Sequence, residues 1–561
     1  MKSLKISILS ACLLGLAACG NGTGTQTQPV FDPDAQQLVI GDSIALAQTQ
    51  YGTVKGYICR GVFTFLGIPY GDNTAGENRF MPPQPPKPWD NVRPAVYYGD
   101  SAPQGDPRFS PESYSVFQDH WNYDILSEDC LRLNVWTPAI DQAKRPVIVW
   151  LHGGGFSAGN GIEQDGYHGE SFARRENAVF VSINHRLNCF GFSDFASVGG
   201  DKYVHSGNVG MLDIIAALEW VHNNIAQFGG DPASVTIIGQ SGGGSKVCTA
   251  IAMPAAKGLV HKAVALSGNS TTMTDKAYAE GLGAYILKYA GLKPSQIDKL
   301  QKMPWKEYYK LANEAAREYN QTAAATGTRY RGFSPVADDV DIPIGTFYTS
   351  GRNDVPDVPL ILCTTANEFV SDRDNPQLEQ LTQEDVVSRL KAYGENAQEV
   401  YDAYKALFPN ETPFGILSAI MSSRDNVLKT AEAKCNQKSP VYMAWFTWCP
   451  PNFDGRQRAF HCLDISFWFN NTDLMLSHTG GGKVPRVLSQ KMSDALGAFM
   501  RTGNPNAGNA NGLPTWEPFT VQNKGTMILN NTCQFVNDPD GNARQAVAKF
   551  SKPIDLYSFF R

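Results

Sequence analysis

Ser241 sits in Gly239-Gln240-Ser241-Gly242-Gly243, between a short apolar run and a helical pattern. Strand, tight turn and helix is the setting in which a serine becomes a nucleophile, its hydroxyl lifted above a sheet at a helix N-terminus. In so tight a turn, side chains two residues to either side of the serine clash, and Gly239 and Gly243 stand at both places. A phosphate loop competes for such a glycine run, but there Ser or Thr must follow the lysine, and Val247 follows Lys246. Upstream, another apolar run ends in His152-Gly153-Gly154-Gly155-Phe156. Consecutive glycines let bare backbone approach a carbonyl. The N–H groups of Gly154 and Gly155, with that of Gly242, can then meet the charge of a tetrahedral intermediate. A dinucleotide loop would need Gly-x-Gly-x-x-Gly instead. The two motifs together read as acyl transfer by a serine nucleophile beside an oxyanion hole.

Such a serine needs a carboxylate and then a histidine further along the chain. His461 and His478 lie late enough, whereas His261 falls before the next apolar run. His461 follows the last long run, in Arg458-Ala459-Phe460-His461-Cys462-Leu463-Asp464; His478, in Ser-His-Thr-Gly-Gly-Gly, reads as a surface-loop residue. For the acid, the run at 358–363 leads to Glu368, with Asp372 and Asp374 close behind as alternatives.

These groups need a rigid frame. Near-continuous apolar runs at 146–151, 178–183, 235–238, 263–266, 358–363 and 441–448 suit strands buried on both faces. Helical stretches such as 208–228 and 241–253 alternate with them, which predicts an α/β fold with a large, mostly parallel sheet. Residues 52–65 read as a hairpin ahead of it, and 271–331 and 378–434 as mostly helical insertions. The chain has 561 residues, 42% hydrophobic, so a disordered or collagen-like chain is excluded. With 48 Lys and Arg against 54 Asp and Glu there is no basic footprint for nucleic acid. No apolar run reaches 18 residues, which excludes a multispan membrane protein.

The start of the chain reads as an address. Lys2 and Lys5 precede the apolar stretch 6–16, and 11 residues cover only ~16 Å as a helix, about half the hydrocarbon thickness. Leu16-Ala17-Ala18-Cys19 resembles a bacterial lipobox, which implies removal of residues 1–18, acylation of Cys19 and membrane attachment through that lipid. Gly20, where Asp would signal retention, favours the outer membrane in bacteria that follow that rule. Residues 19–40 are then a flexible tether and 41–561 the folded domain. Export places the remaining cysteines in an oxidising compartment. Nine are left, an odd count, without a Cys-x-x-Cys pair for zinc-ribbon or thioredoxin chemistry. Cys449, just past the run at 441–448, and Cys462, beside His461, are expected to pair. Neither a metal nor a cofactor is expected.

The chain resembles the type B carboxylesterases of the α/β-hydrolase superfamily. The landmarks are Gly67-Ile68-Pro69-Tyr70, Glu128 to Asn134, His152 to Phe156, Asn184 to Phe192, Asn208 to Asp213, Phe228 to Pro232 before the serine turn, and Thr502 to Asn506. They span residues 48 to 557. The resemblance implies a catalytic triad of Ser241, Glu368 and His461 acting on a small ester without cofactor. It leaves oligomeric state and the natural ester open, and thioesters, amides or lactones use the same machinery. Four positions depart from the family's habit. Gln240 replaces Glu, Gly242 replaces Ala, Phe369 replaces Gly, and Cys130 lacks its partner near Ala102. Non-catalytic adhesion proteins share the fold but have lost the serine, which this chain retains.

Overall fold

Val147, Val149 and Leu151 point into one apolar layer, while Ile148 and Trp150 point into another. A strand covered on both faces is therefore apolar at nearly every position. The computed structural model describes residues 36–105, 125–325, 332–368, 376–506 and 512–549. Residues 1–35, which include Cys19, and Phe369, Asp372 and Asp374 lie outside the described residues.

Twelve strands form the main sheet: Leu38–Val39 (β1), Tyr57–Cys59 (β2), Val62–Pro69 (β3), Arg132–Thr137 (β4), Arg145–Leu151 (β5), Val179–Ile183 (β6), Gly230–Gln240 (β7), Lys262–Leu266 (β8), Leu360–Thr365 (β9), Val441–Phe446 (β10), Gly525–Leu529 (β11) and Gln534–Asn537 (β12). Their order across the sheet is β1-β2-β3-β4-β6-β5-β7-β8-β9-β10-β11-β12. From β6 to β11 every neighbouring pair is parallel, and both flanks are antiparallel. This is the α/β-hydrolase fold. Register sets Leu151, Gly239, Ala265, Leu362 and Met443 in one row near the strands' carboxyl ends. Ligands of open α/β sheets bind beyond that edge.

Several elements differ from the sequence expectation. Within 52–65, β2 and β3 form a hairpin through Arg60 and Gly61, both at positive φ, and join the main sheet. Gly52–Lys55 instead pairs with Leu46–Thr49 in a separate sheet. The sequence reading passed over β4 because Asn134 interrupts its apolar run. That polar group is satisfied inside: Nδ2 donates to Ser182 Oγ at 3.0 Å and Oδ1 accepts from the Gly67 N–H at 2.9 Å. The insertions are helical as expected, with Lys276–Tyr289 and Trp305–Tyr319 in the first and Ala397–Leu407, Pro413–Met421 and Asp425–Lys434 in the second. No helix among the described residues is long and apolar enough to cross a membrane.

Helix Val209–Asn224 (α1) is tied to the sheet by a buried ion pair. Arg186, just past β6, reaches Asp213 of α1 through Nη2–Oδ1 at 2.6 Å and Nε–Oδ2 at 2.8 Å. Its Nη1 also donates to the Met81 carbonyl at 2.8 Å, fixing the N-terminal segment. Removing one partner strands the other charge in the core, which costs about 3–5 kcal/mol. Asp213→Ala should therefore lower the unfolding free energy by that much and move the urea midpoint down in proportion, as unfolding followed by tryptophan fluorescence would register. An unchanged midpoint would mean that Arg186 finds solvent.

Candidate active site

Beyond Gly239 in the strand-end row, β7 turns abruptly into helix Gly242–Ala250 (α2). Ser241 carries the turn at φ 57° and ψ −124°, a region L-residues avoid. Its N–H is anchored on the Leu266 carbonyl at 2.8 Å, and its own carbonyl starts the helix by accepting from Ser245. Such strain costs of order 1–3 kcal/mol and persists only where the surroundings over-determine it. Here they do. A Cβ on Gly239 would overlap the backbone of Gly243, and one on Gly243 would overlap the Leu151 carbonyl. Gly268, past the end of β8, packs against the Ser241 carbonyl just as closely. Sequence reasoning missed Gly268; a glycine directly after a strand end was the available signal.

The glycine loop after β5 lies over this turn. Gly154 and Gly155 have φ of 77° and 60°. Gly155 touches Gly242 so closely that the alanine usual in the family would collide with its carbonyl. The departure at Gly242 is thus matched to the loop's path. Among the described residues the Gly154 and Gly155 N–H groups have no partner, and both residues are exposed.

The carboxylate and the imidazole meet through the backbone that precedes them. Asn367 and Phe460 form an isolated parallel bridge, with the Asn367 N–H on the Ala459 carbonyl at 3.0 Å. The next residue on each strand is Glu368 and His461. Their side chains bond at 2.5 Å, His461 Nδ1 to Glu368 Oε2. The other oxygen, Oε1, accepts from Thr364 Oγ1 at 2.5 Å and the Thr365 N–H at 2.8 Å. Burial acts to raise the Glu368 pKa, but His461 and Thr364 outweigh it, and the carboxyl is held below its ordinary value. For His461 burial disfavours the charged ring, yet Cys462 and Glu368 prevail and the pKa lies well above 6.5.

Gln240 Nε2 lies beside the ring, 3.2 Å from His461 Nε2, the atom that would face the serine, and 3.4 Å from Nδ1. Among the described residues no hydrogen bond joins Ser241 Oγ to the ring. Apo sites are often loose in this way. Gln240 Oε1 in turn takes the Cys462 thiol at 3.3 Å. The disulfide expected between Cys449 and Cys462 is not present in the structure. Both are free thiols with different acceptors, Cys449 being directed at the Thr447 carbonyl. Cys130 is likewise a free, buried thiol. His478 is buried against Phe460, 5.2 Å between ring centres, and not on a surface loop. The described residues hold no cluster of ligating side chains suited to a metal.

The sequence model described as the carboxylesterase family matches residues 43–547. A para-nitrobenzyl esterase of Bacillus subtilis (strain 168) is 33% identical over 508 residues, covering 89% of this chain and 98% of that protein. A phenmedipham hydrolase of Pseudarthrobacter oxydans is 30% identical, covering 86% and 94%. Among solved structures, an esterase from Clostridium hathewayi that can hydrolyse aliphatic aromatic polyesters superposes with a TM-score of 0.79. It is 31% identical and covers 92% of this chain and all of its own.

A ring that must be neutral to accept a proton imposes a sign on the pH profile. Activity should fall as pH drops through the His461 pKa, with the midpoint of the acid limb above 6.5. Glu368→Gln removes the charge that helps hold the pKa up, so the limb should move to lower pH while the plateau drops. Initial rates from pH 5 to 9 test both. A limb below 6.5 in the unaltered enzyme would contradict the electrostatic account.

Proposed function

The chain belongs to the carboxylesterase family and is a carboxylic-ester hydrolase, and we propose that Ser241 is its nucleophile, His461 its general base and acid, and Glu368 the orienting carboxylate. The observation that carries the assignment is the 2.5 Å bond between His461 and Glu368 beside a strained serine turn.

Catalysis then runs in two halves. Gln240 yields Nε2, and His461 takes the Ser241 proton as Oγ attacks the ester carbonyl. The carbonyl oxygen becomes an oxyanion, met by the N–H groups of Gly154, Gly155 and Gly242. Collapse expels the alcohol, protonated by His461, and leaves an acyl-serine. Water repeats the sequence and frees the acid. Glu368 does not take the proton; it keeps Nδ1 as donor and stabilises the imidazolium. Because Gln240 is neutral, the site lacks the anionic side chain that would favour cationic alcohols.

A nitrophenyl ester gives the direct test: rapid mixing should produce a burst of nitrophenol equal to the enzyme concentration, absent in Ser241→Ala. Alanine at Ser241, Glu368 or His461 should each cost several orders of magnitude, and the triple variant little more than Ser241→Ala. Near-normal turnover by Glu368→Ala would move the acid role elsewhere.

We also propose that Cys19 is lipidated and holds the enzyme on a bacterial membrane, the outer one being favoured. The support is Leu16-Ala17-Ala18-Cys19 directly after the apolar stretch. Cys19→Ser should shift activity from the membrane fraction to the soluble one at unchanged specific activity. Recovery of the unaltered protein as freely soluble would refute it.

A further inference from the structure

Lys246 lies on α2 one turn beyond Gly243, and its side chain is fully buried. Among the described residues it forms no ion pair; its Nζ donates to the His152 carbonyl at 2.9 Å. The groups around it are the His152 and His185 rings, stacked 4.9 Å apart, the Phe156 ring at 5.9 Å, and Glu163 on the segment after the glycine loop. A buried ammonium without a carboxylate contact is a costly arrangement, and an apolar residue of similar volume generally serves stability better. Packing alone therefore does not explain a lysine here.

The path of the glycine loop does. A peptide group is planar and trans, so whatever fixes its carbonyl also fixes the opposed N–H. The His152 carbonyl, held by Lys246, shares a peptide with the Gly153 N–H. The Gly153 carbonyl, 3.0 Å from His152 Nδ1, shares one with the Gly154 N–H. The Gly154 carbonyl, held by the N–H groups of Ser157 at 3.2 Å and Ala158 at 3.0 Å, shares one with the Gly155 N–H. Three consecutive carbonyls are tied: the second and third fix the N–H groups of Gly154 and Gly155, and the first fixes the Gly153 peptide from which the loop sets out. The first tie is the one made by a side chain from another element, the helix that begins at the nucleophile. Gly243 makes room for it, since a Cβ there would lie 2.8 Å from the His152 oxygen.

We propose that Lys246 is a positioning residue of the oxyanion hole, pinning the His152 carbonyl so that the glycine-loop donors are aimed before substrate arrives. The inference rests on the acyl-transfer reading of Ser241. Burial, opposed by Glu163, brings the Lys246 pKa down to about 7, but amine and ammonium both donate, so the tie holds on either side of that pH. The rings of His152 and His185 stay neutral, burial and then Lys246 holding both well below the usual range.

Lys246→Met keeps the length and volume and removes the donor. It should lower kcat for a nitrophenyl ester about tenfold or more, below the ~10²–10³ lost with a direct oxyanion donor, and leave KM within about twofold. A trifluoromethyl ketone, which adds to the serine as an oxyanionic hemiketal, should bind weaker by the same factor. The methyl ketone of the same skeleton, which binds without forming the oxyanion, should be unaffected. Wild-type kcat and trifluoromethyl ketone affinity would overturn the proposal, and so would equal weakening of both ketones, the mark of a merely structural role. Should Lys246→Met fail to fold, Lys246→Gln, polar but too short to reach the carbonyl, must show the same split between the ketones. The two readings fail separately: a dead Ser241→Ala beside wild-type Lys246 variants removes only the tie, whereas an active Ser241→Ala removes the acyl-transfer reading.

Discussion

Backbone packs directly on backbone around Ser241, and the site depends on that contact. Gly243 lies under the Leu151 carbonyl, Gly268 against the Ser241 carbonyl and Gly155 over Gly242. These contacts join the serine turn, at the end of β7, to the end of β5, to the glycine loop that follows it and to the segment after β8, so Ser241 is located by its own strand and both neighbours at once. With the strand ends in register, the turn has one place to go, and a φ of 57° at Ser241 is the outcome. The oxyanion loop is a product of the same contact, because it uses the space that an alanine methyl would fill at position 242.

Charge is handled as sparingly as space. Glu368 is held ionised by three donors, from His461, Thr364 and Thr365. Asp464, three residues past His461 and also buried, has its pKa pushed up to about 7, by burial first and then by Glu368. Its Oδ2 accepts from Trp468 Nε1 at 3.1 Å. Two ionised carboxylates this close would repel, so the second tends to its neutral form near pH 7 and one negative charge faces the imidazole. The neutral Gln240, 3.2 Å from Nε2 and 3.4 Å from Nδ1, adds no further charge beside the ring.

The sequence makes most of this framework legible. Strands β5 to β10 announce themselves because burial on both faces leaves them few polar residues. The serine turn and the glycine loop are legible because close approach of backbone demands glycine, and no other residue substitutes for it. Less visible was whatever depends on long-range pairing. β4 hides behind Asn134, whose partners are 48 and 67 residues away. The burial of His478 follows from Phe460 and not from its own glycine-rich neighbours. Cys462, a free thiol, is directed at Gln240, a residue more than 200 positions earlier. Lys246 passed as a misfit to a phosphate loop because its acceptor, a main-chain carbonyl 94 residues away, carries no sequence signature.

The isolated bridge between Asn367 and Phe460 joins two loops 93 residues apart and sets Glu368 beside His461. Ser241 lies farther off still, on the turn after β7 that the segments following β5 and β8 hold in place. Any two of the three groups are at least 93 residues apart, so non-local pairings must close before any of the chemistry exists. Such closures are entropically late events in folding. A nascent or partly unfolded chain therefore cannot cleave esters. Catalytic competence is a certificate of completed folding, issued only when both halves of the sheet have found each other.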